Sequence, residues 1–141
     1  MTLEEIFETV KEVIEKSVGK PKDSIELNDT LFDKIGIDSI DLVDILFELE
    51  SHFNVELKIS DFESRAREKM SNEPYEVNGL ITTQGLTVLK KYMTELDQNK
   101  LVEGLTVHQL VKLLTVHSLC KIVLYKLEET KTQPQTGSKE N

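Results

Sequence analysis

The chain has 141 residues, of which 26 are acidic and 17 basic, and its formal net charge at pH 7 is -9. This charge argues against a nucleic-acid-binding protein, because phosphate binding needs clustered lysine and arginine, and it favours partners with basic surfaces. The length and the 38% hydrophobic content predict one domain, and the single cysteine, Cys120, excludes an internal disulfide and is expected in the core.

The sequence contains no segment that predicts membrane insertion or export. No apolar run approaches the roughly 20 residues of a membrane span. The first residues, Met1 to Glu5, lack the basic and then apolar pattern of a secretion signal. A cytoplasmic protein is therefore expected.

A first helix is predicted from Leu3 to Val18. Thr2 and Glu5 have the spacing of a capping box, apolar residues recur on one face, and Gly19 and Pro21 end the helix. A loop with turn-forming residues follows and reaches to about residue 37.

A second helix is predicted from about Ser39 to His52. Its buried stripe consists of Leu42, Ile45, Leu46, Leu49 and Phe53. No lysine or arginine occurs between Lys34 and Lys58, and six carboxylates fall in that gap: Asp38, Asp41, Asp44, Glu48, Glu50 and Glu56. The pattern indicates an exposed hydroxyl at the start of an acidic helix, which suits modification by another protein better than catalysis by this chain.

The second half of the chain predicts further helices and a polar end. The first predicted elements are a helix from Ser60 with a capping box to Glu63, a loop over 71–80 and a helix from Thr83 to about Asp97. A helix from Thr106 to about Leu127 and a disordered polar tail over 129–141 follow. The last helix is apolar on two sides, so its C-terminal half is expected to pack on extra structure or on a second chain.

The region of the second helix resembles acyl carrier proteins. The matching residues are Asn28-Asp29-Thr30-Leu31-Phe32, Ile35-Gly36-Ile37-Asp38-Ser39-Ile40-Asp41, Glu48-Leu49-Glu50 and Phe53. The Asp-Ser-aliphatic triplet after a glycine-containing loop is that family's phosphopantetheine attachment motif. The resemblance covers about residues 3–60 and resumes at about 105–114 as the family's last helix.

The resemblance implies an all-α fold, an acyl-carrier-like four-helix bundle with an additional inserted helix and an extended C-terminal helix. Residues 1–128 would form one carrier domain, in which about 61–104 are inserted or extended relative to small carriers. The protein is expected to be a monomer.

The resemblance also implies a function without catalytic residues and without a metal site. Ser39 would receive 4'-phosphopantetheine from coenzyme A through a phosphopantetheinyl transferase, and Asp38 would contribute to the metal-bound complex of that transferase. The thiol would carry an acyl thioester to fatty-acid, lipid or polyketide enzymes, which are synthases or acyltransferases with basic docking patches. The expected docking residues are Ile40, Asp41, Asp44, Phe47, Glu48 and Glu50.

Several alternatives stay open at this point. The chain could be a peptidyl or aminoacyl carrier of a non-ribosomal pathway, or an adaptor that docks without turning over cargo. Ser39 could be only a helix cap, and the acidic run only a solvated face. The basic cluster Arg65, Arg67 and Lys69 could contact a partner or the acidic helix. The histidines His52, His108 and His117 do not have the spacing of zinc ligands and are interpreted as surface or packing residues.

Overall fold

The computed structural model describes residues 1–132, and its architecture is helical, as predicted. The α-helices are α1 Leu3–Val18, α2 Ser39–Phe53, α3 Ser64–Glu68, α4 Thr83–Tyr92, α5 Val107–Val111 and α6 Val116–Thr132. Short 3-10 turns span Lys22–Ser24, Ile59–Glu63 and Gln98–Lys100, a π-helical turn spans Leu31–Ile35, and the strands β1 Glu76–Val77 and β2 Leu80–Ile81 form an antiparallel hairpin. None of the helices within these residues combines the length and the hydrophobicity that a membrane crossing requires.

The central layer of the fold is formed by α1, α2 and α6. Helix α1 packs against both α2 and α6, and α6 also contacts α2 and the 3-10 turn at Ile59–Glu63. The sequence predicts residues 105–114 as the last helix of the bundle, but that position is occupied by α6. The buried apolar side chains that these three helices contribute are Ile6, Val10, Val13, Ile14, Leu42, Ile45, Leu46, Leu49, Val116, Leu119, Cys120, Ile122 and Val123.

The predicted helix from Thr106 to Leu127 is two helices. Thr106 caps α5, as predicted, but α5 ends at Val111. Thr115 begins a second helix, because its Oγ1 accepts a hydrogen bond from the Ser118 N–H at 3.1 Å and the Ser118 hydroxyl oxygen accepts one from the Thr115 N–H at 3.0 Å. Helix α6 is described as far as Thr132, beyond the predicted end at about Leu127, and residues 133–141 of the predicted tail lie outside the described residues.

The start of α6 is fixed to the loop that precedes α2. The N–H of Leu31 donates to the Leu114 carbonyl, and the N–H groups of Val116 and His117 donate to the carbonyls of Asp29 and Leu27, each at 2.9 Å. These bonds form what we call the loop–α6 ladder, between residues 27–31 and 114–117. Because α6 takes the place of the bundle's last helix, the residues between α3 and α6, 69–115, form what we call the inserted segment. The ladder holds the C-terminal end of this segment against the loop that leads to Ser39.

The predicted loop over 71–80 contains the β-hairpin. Asn78 and Gly79 form its turn, and both have a positive φ, of 53° and 83°, which the two central residues of a tight type I′ turn require. The N–H of Ile81 also donates to the carbonyl of Leu105 at 3.0 Å. The hairpin therefore ties the segment before α4 to the segment before α5.

The capping box predicted from Ser60 to Glu63 is wrong. The Asp61 carboxylate accepts the Lys58 N–H at 2.7 Å, so the turn begins at Ile59, and α3 follows only at Ser64. Glu63 is instead buried and accepts a hydrogen bond from the Tyr75 hydroxyl. The hydrogen-bond partner of Glu63 is thus a tyrosine twelve residues away rather than an N–H group at a helix start.

Replacement of Glu63 by glutamine is expected to raise the free energy of unfolding at neutral pH. Burial raises the pKa of the Glu63 carboxyl above its ordinary value of 4.5, although the Tyr75 hydroxyl and Arg67 oppose the shift. The folded state therefore binds a proton more tightly than the unfolded state, and stability is lost as pH rises from 4.5 through the folded-state pKa. Glutamine keeps the acceptor for Tyr75 and removes the ionisation.

Urea unfolding of wild type and Glu63→Gln between pH 4.5 and 7 checks this prediction. The difference in unfolding free energy should be largest at pH 7 and should shrink as the pH falls toward 4.5. The exposed Glu73 offers a matched control, and Glu73→Gln should follow the wild type at every pH. Parallel curves for Glu63→Gln and wild type would contradict the buried position of the carboxyl.

Candidate functional site

The start of α2 is built by two aspartates rather than by the serine between them. Asp38 is the N-cap, and its Oδ1 accepts a hydrogen bond from the Asp41 N–H at 2.8 Å. The Asp41 carboxylate in turn accepts one from the Asp38 N–H at 3.0 Å. This is a reciprocal capping box made of two carboxylates. The interpretation of Ser39 as only a helix cap is therefore wrong.

Ser39 is the first helical residue, and its side chain is exposed. Its hydroxyl makes no hydrogen bond to any residue within 1–132. The preceding turn presents it, because the N–H groups of Gly36 and Ile37 both donate to the Leu31 carbonyl at 3.0 Å and Gly36 takes a φ of +87°. Ile37 is then buried, and the chain reverses outward at Asp38.

An open groove of about 530 Å³ lies beside Ser39. It is lined by Phe32, Asp33, Ile37, Asp38, Ser39 and Lys112. These residues fit a phosphodiester-linked group, because the serine hydroxyl has no competing internal bond and the groove leaves room for a substituent. The N-terminus of a helix as long as α2 also favours an attached phosphate.

Three apolar side chains on α2 face solvent next to this site. Ile40 is 73% exposed, Val43 is 54% exposed and Phe47 is 69% exposed. Residues three or four apart on a helix lie on one side, so the three form what we call the apolar stripe of α2. Ile40 and Phe47 are among the docking residues expected from the sequence, and Val43 is not. The spacing of the three residues is the signal that identifies Val43.

The carboxylates of α2 differ in their surroundings. Asp44 is exposed and, among residues 1–132, has no internal partner. Glu48 lies 3.3 Å from the Lys16 ammonium of α1, and Glu50 accepts the Leu57 N–H at 2.8 Å. Asp41 belongs to the capping box. Three of the four acidic residues expected to dock thus also hold α2 in place, and Asp44 is the one that is not engaged within the described chain.

The basic side chains of α3 and Lys69, the residue after it, contact β1, α4 and α6. Arg67 lies 2.7 Å from the Glu76 carboxylate, and the Arg65 guanidinium lies over the Tyr125 ring at 5.3 Å. Lys69 lies over the Tyr92 ring. The salt link to the acidic helix that the sequence left open is not formed by these residues.

The remaining candidates from the sequence have ordinary positions. Cys120 is buried, as predicted, and burial raises the pKa of its thiol to about 12, so the reactive thiolate is disfavoured. His52 and His108 are exposed, and burial lowers the pKa of the partly buried His117. Within residues 1–132, no three histidine, cysteine or carboxylate side chains are grouped as metal ligands.

Comparison with known proteins identifies the family. The sequence profile described as "Phosphopantetheine attachment site" matches residues 8–67, which leaves α4, α5 and α6 outside the match. The acyl carrier protein of Thermotoga maritima is 38% identical over 60 residues, which are 43% of this chain and 74% of that protein. The acyl carrier proteins of Petrotoga mobilis and Chlorobium phaeobacteroides are 35% and 36% identical over 63 residues, 45% of this chain and 74% and 81% of theirs. No solved structure matches the chain. The chain belongs to the acyl carrier protein family and is a carrier of covalently attached 4'-phosphopantetheine.

Proposed function

We propose that this protein carries acyl groups as thioesters on 4'-phosphopantetheine attached to Ser39. The observation that carries the proposal is the position of Ser39, which is exposed at the first turn of α2 and makes no hydrogen bond within residues 1–132. A serine with only a structural role at a helix start would accept a capping hydrogen bond with its hydroxyl oxygen. In α2, the Asp38 side chain accepts that bond instead.

Attachment is a phosphoryl transfer that a separate transferase catalyses. The Ser39 oxygen bonds to the phosphorus next to the pantetheine of coenzyme A, the pyrophosphate P–O bond breaks, and adenosine 3',5'-bisphosphate leaves. The serine proton passes to a base of the transferase. Asp38 uses Oδ1 in the capping box, and its other oxygen has no internal partner within the described residues, so that oxygen is available to the metal of the transferase complex.

The apolar stripe of α2 and Asp44 form the proposed docking surface for the transferase and for acyl-processing synthases or acyltransferases. Exposed ion pairs contribute only about 0–1 kcal/mol each, so the acidic residues would guide partners rather than hold them. The apolar side chains would form the small central contact. Weak and reversible docking suits a carrier that visits several enzymes, in fatty-acid, lipid or polyketide synthesis.

The domain organisation supports a monomeric carrier. The side chains on the two apolar sides of α6 are covered within the chain, because α6 packs against α1, α2 and the turn at Ile59–Glu63. A second chain is therefore not needed to cover them. We propose that residues 1–128 act as one domain and that the protein works in the cytoplasm. Its proposed function is to carry cargo, and it does not itself catalyse a reaction.

The direct test is the intact mass of the protein after incubation with coenzyme A, magnesium and a broad-specificity phosphopantetheinyl transferase. The expected result is the gain of one phosphopantetheine, with the added mass on the peptide that contains Ser39. Repetition with acyl and aminoacyl forms of coenzyme A and the purified acceptor enzymes would then separate acyl from aminoacyl cargo. Absence of any gain would favour the adaptor that docks without cargo.

Replacement of Phe47 by alanine is expected to lower the kcat/KM of transferase loading about tenfold, because a central aromatic contact is typically worth more than 1 kcal/mol. The unfolding free energy should change by no more than about 0.5 kcal/mol, since the ring is mostly exposed. Val77→Ala on β1 is the matched control, because Val77 is also half-exposed but lies outside α2. Equal loading of Phe47→Ala and wild type would remove Phe47 from the docking surface.

A further inference from the structure

Two open grooves meet at Lys112, in the segment between α5 and α6. One is the groove of about 530 Å³ beside Ser39. The other, of about 540 Å³, lies on the inserted segment, and its apolar lining includes Val102, Leu105 and Leu113. Lys112 lines both grooves. The two grooves therefore adjoin each other at the Lys112 side chain.

Backbone hydrogen bonds hold the segment of Lys112 beside the groove that Ser39 lines. The loop–α6 ladder joins Leu31 to Leu114, and these residues neighbour Phe32 and the segment of Lys112 in the chain. The Lys112 ammonium accordingly lies 5.6 Å from the centre of the Phe32 ring. Since Phe32 lines the Ser39 groove, the ammonium sits at the wall of that groove.

A phosphodiester attached to Ser39 would be repelled by the carboxylates of its groove unless a cation lay nearby. Asp33 and Asp38 also line the groove, so an added phosphodiester would stand among carboxylates. Lys112 is the one cationic side chain in the lining, and among residues 1–132 it takes part in no ion pair. Its ammonium is therefore available to an anion at this place.

We propose that Lys112 binds the phosphodiester on Ser39 and that the pantetheine arm continues into the groove on the inserted segment. The proposal rests on the attachment to Ser39 stated above. The arm carries a dimethyl group and two amides, which match the apolar wall of Val102 and Leu113 and the side-chain amide of Gln109. The chemistry of the groove thus agrees with the chemistry of the arm.

The competing path is the cleft between α2 and the turn at Ile59–Glu63. That cleft has a volume of about 190 Å³ and is lined by Val43, Leu46 and Ile59, among others. It shares no lining residue with the groove beside Ser39, and its lysine, Lys58, lies 3.7 Å from the Glu56 carboxylate. The groove on the inserted segment is therefore favoured, because it adjoins the Ser39 groove at Lys112 and because the Lys112 ammonium has no ion-pair partner among residues 1–132.

The experiment compares the phosphopantetheine-loaded forms of wild type, Lys112→Gln and Lys34→Gln. Lys34 is the matched control, because it is an exposed lysine near the same loop that does not line the groove. Intact mass first establishes the loading of each form. NMR then measures nuclear Overhauser effects between the dimethyl protons of the arm and protein methyl groups, together with the phosphorus resonance of the phosphodiester.

The expected result is contacts from the arm to the methyl groups of Val102 and Leu113 in wild type and Lys34→Gln. Lys112→Gln should lose these contacts, and its phosphorus resonance should shift relative to the other two forms. Contacts to Val43 and Leu46, or no contacts in a loaded wild-type protein, would overturn the arm path and leave the attachment to Ser39 intact. Absence of the mass gain in wild type would overturn both proposals.

Discussion

Ser39→Ala is expected to abolish phosphopantetheine loading without changing the stability of the protein. The substitution removes the oxygen that bonds to phosphorus, so no attachment at this position is possible. It removes no internal hydrogen bond within residues 1–132, and the Asp38–Asp41 capping box remains. Alanine is also a better helix former than serine. Intact mass after treatment with transferase and coenzyme A, together with urea unfolding, measures both effects.

Two further variants make this prediction specific. Ser51 is an exposed serine on the same helix, and Ser51→Ala should load as the wild type does. Asp38→Ala keeps the Ser39 hydroxyl but removes the cap, which should cost about 0.5–2 kcal/mol of stability. Loading of Ser39→Ala would show that another residue accepts the group. A clear loss of stability in Ser39→Ala would show that the hydroxyl has a structural partner.

The first half of the fold could be predicted from the sequence because its signals are local. The Thr2–Glu5 capping box, the ends of α1 and the buried stripe of α2 each depend on residues within a few turns of one another. Each is present in the structure, except that Phe53, the last residue predicted for the stripe, is only partly buried. The start of α2 was located to one residue. The role of Asp38 as the cap was not predicted, because a serine and an aspartate in succession are equally suitable caps.

The second half was predicted less well because distant contacts decide it. The sequence Leu-Thr-Val-His occurs twice, at 105–108 and 114–117, and in each copy the threonine is an N-cap. This repeat indicates the break between α5 and α6, but the apolar residues that continue across it favour a single helix. The loop–α6 ladder then selects the second repeat as the start of the bundle helix. Periodicity alone cannot show which of two similar segments contacts a loop that lies more than eighty residues earlier in the chain.

The site shows the same division between local and distant signals. Ser39, Asp38 and the acidic residues of α2 follow from one contiguous motif, whereas Lys112 lies far from that motif in the sequence and belongs to no recognisable pattern. Its place beside Ser39 appears only when the ladder brings residues 114–117 against residues 27–31. The motif around Ser39 ends before the inserted segment begins, so it cannot predict a contact that Lys112 makes.

Leu119→Ala is expected to lower the free energy of unfolding by about 2–5 kcal/mol, which is the usual cost of removing a fully buried leucine. Leu119 has no exposed surface and lies in α6, the helix that packs against α1 and α2. If the family's last helix were instead the segment 105–114, a cavity in α6 would affect only a peripheral helix. Urea unfolding followed by circular dichroism measures the change, and Leu80→Ala, which truncates a half-exposed leucine on β2, is the control.

The Leu119→Ala variant also tests whether the bundle and the carrier site unfold as one unit. Because α6 packs on α1 and α2 and is joined through the loop–α6 ladder to the turn before Ser39, the bundle and the site should unfold together. Hydrogen exchange should therefore show that Leu119→Ala lowers the protection of amides in α1 and α2 along with those in α6. Loss of protection confined to α6, with a change in stability well below the expected range, would mean that the first two helices and the Ser39 turn hold together without it.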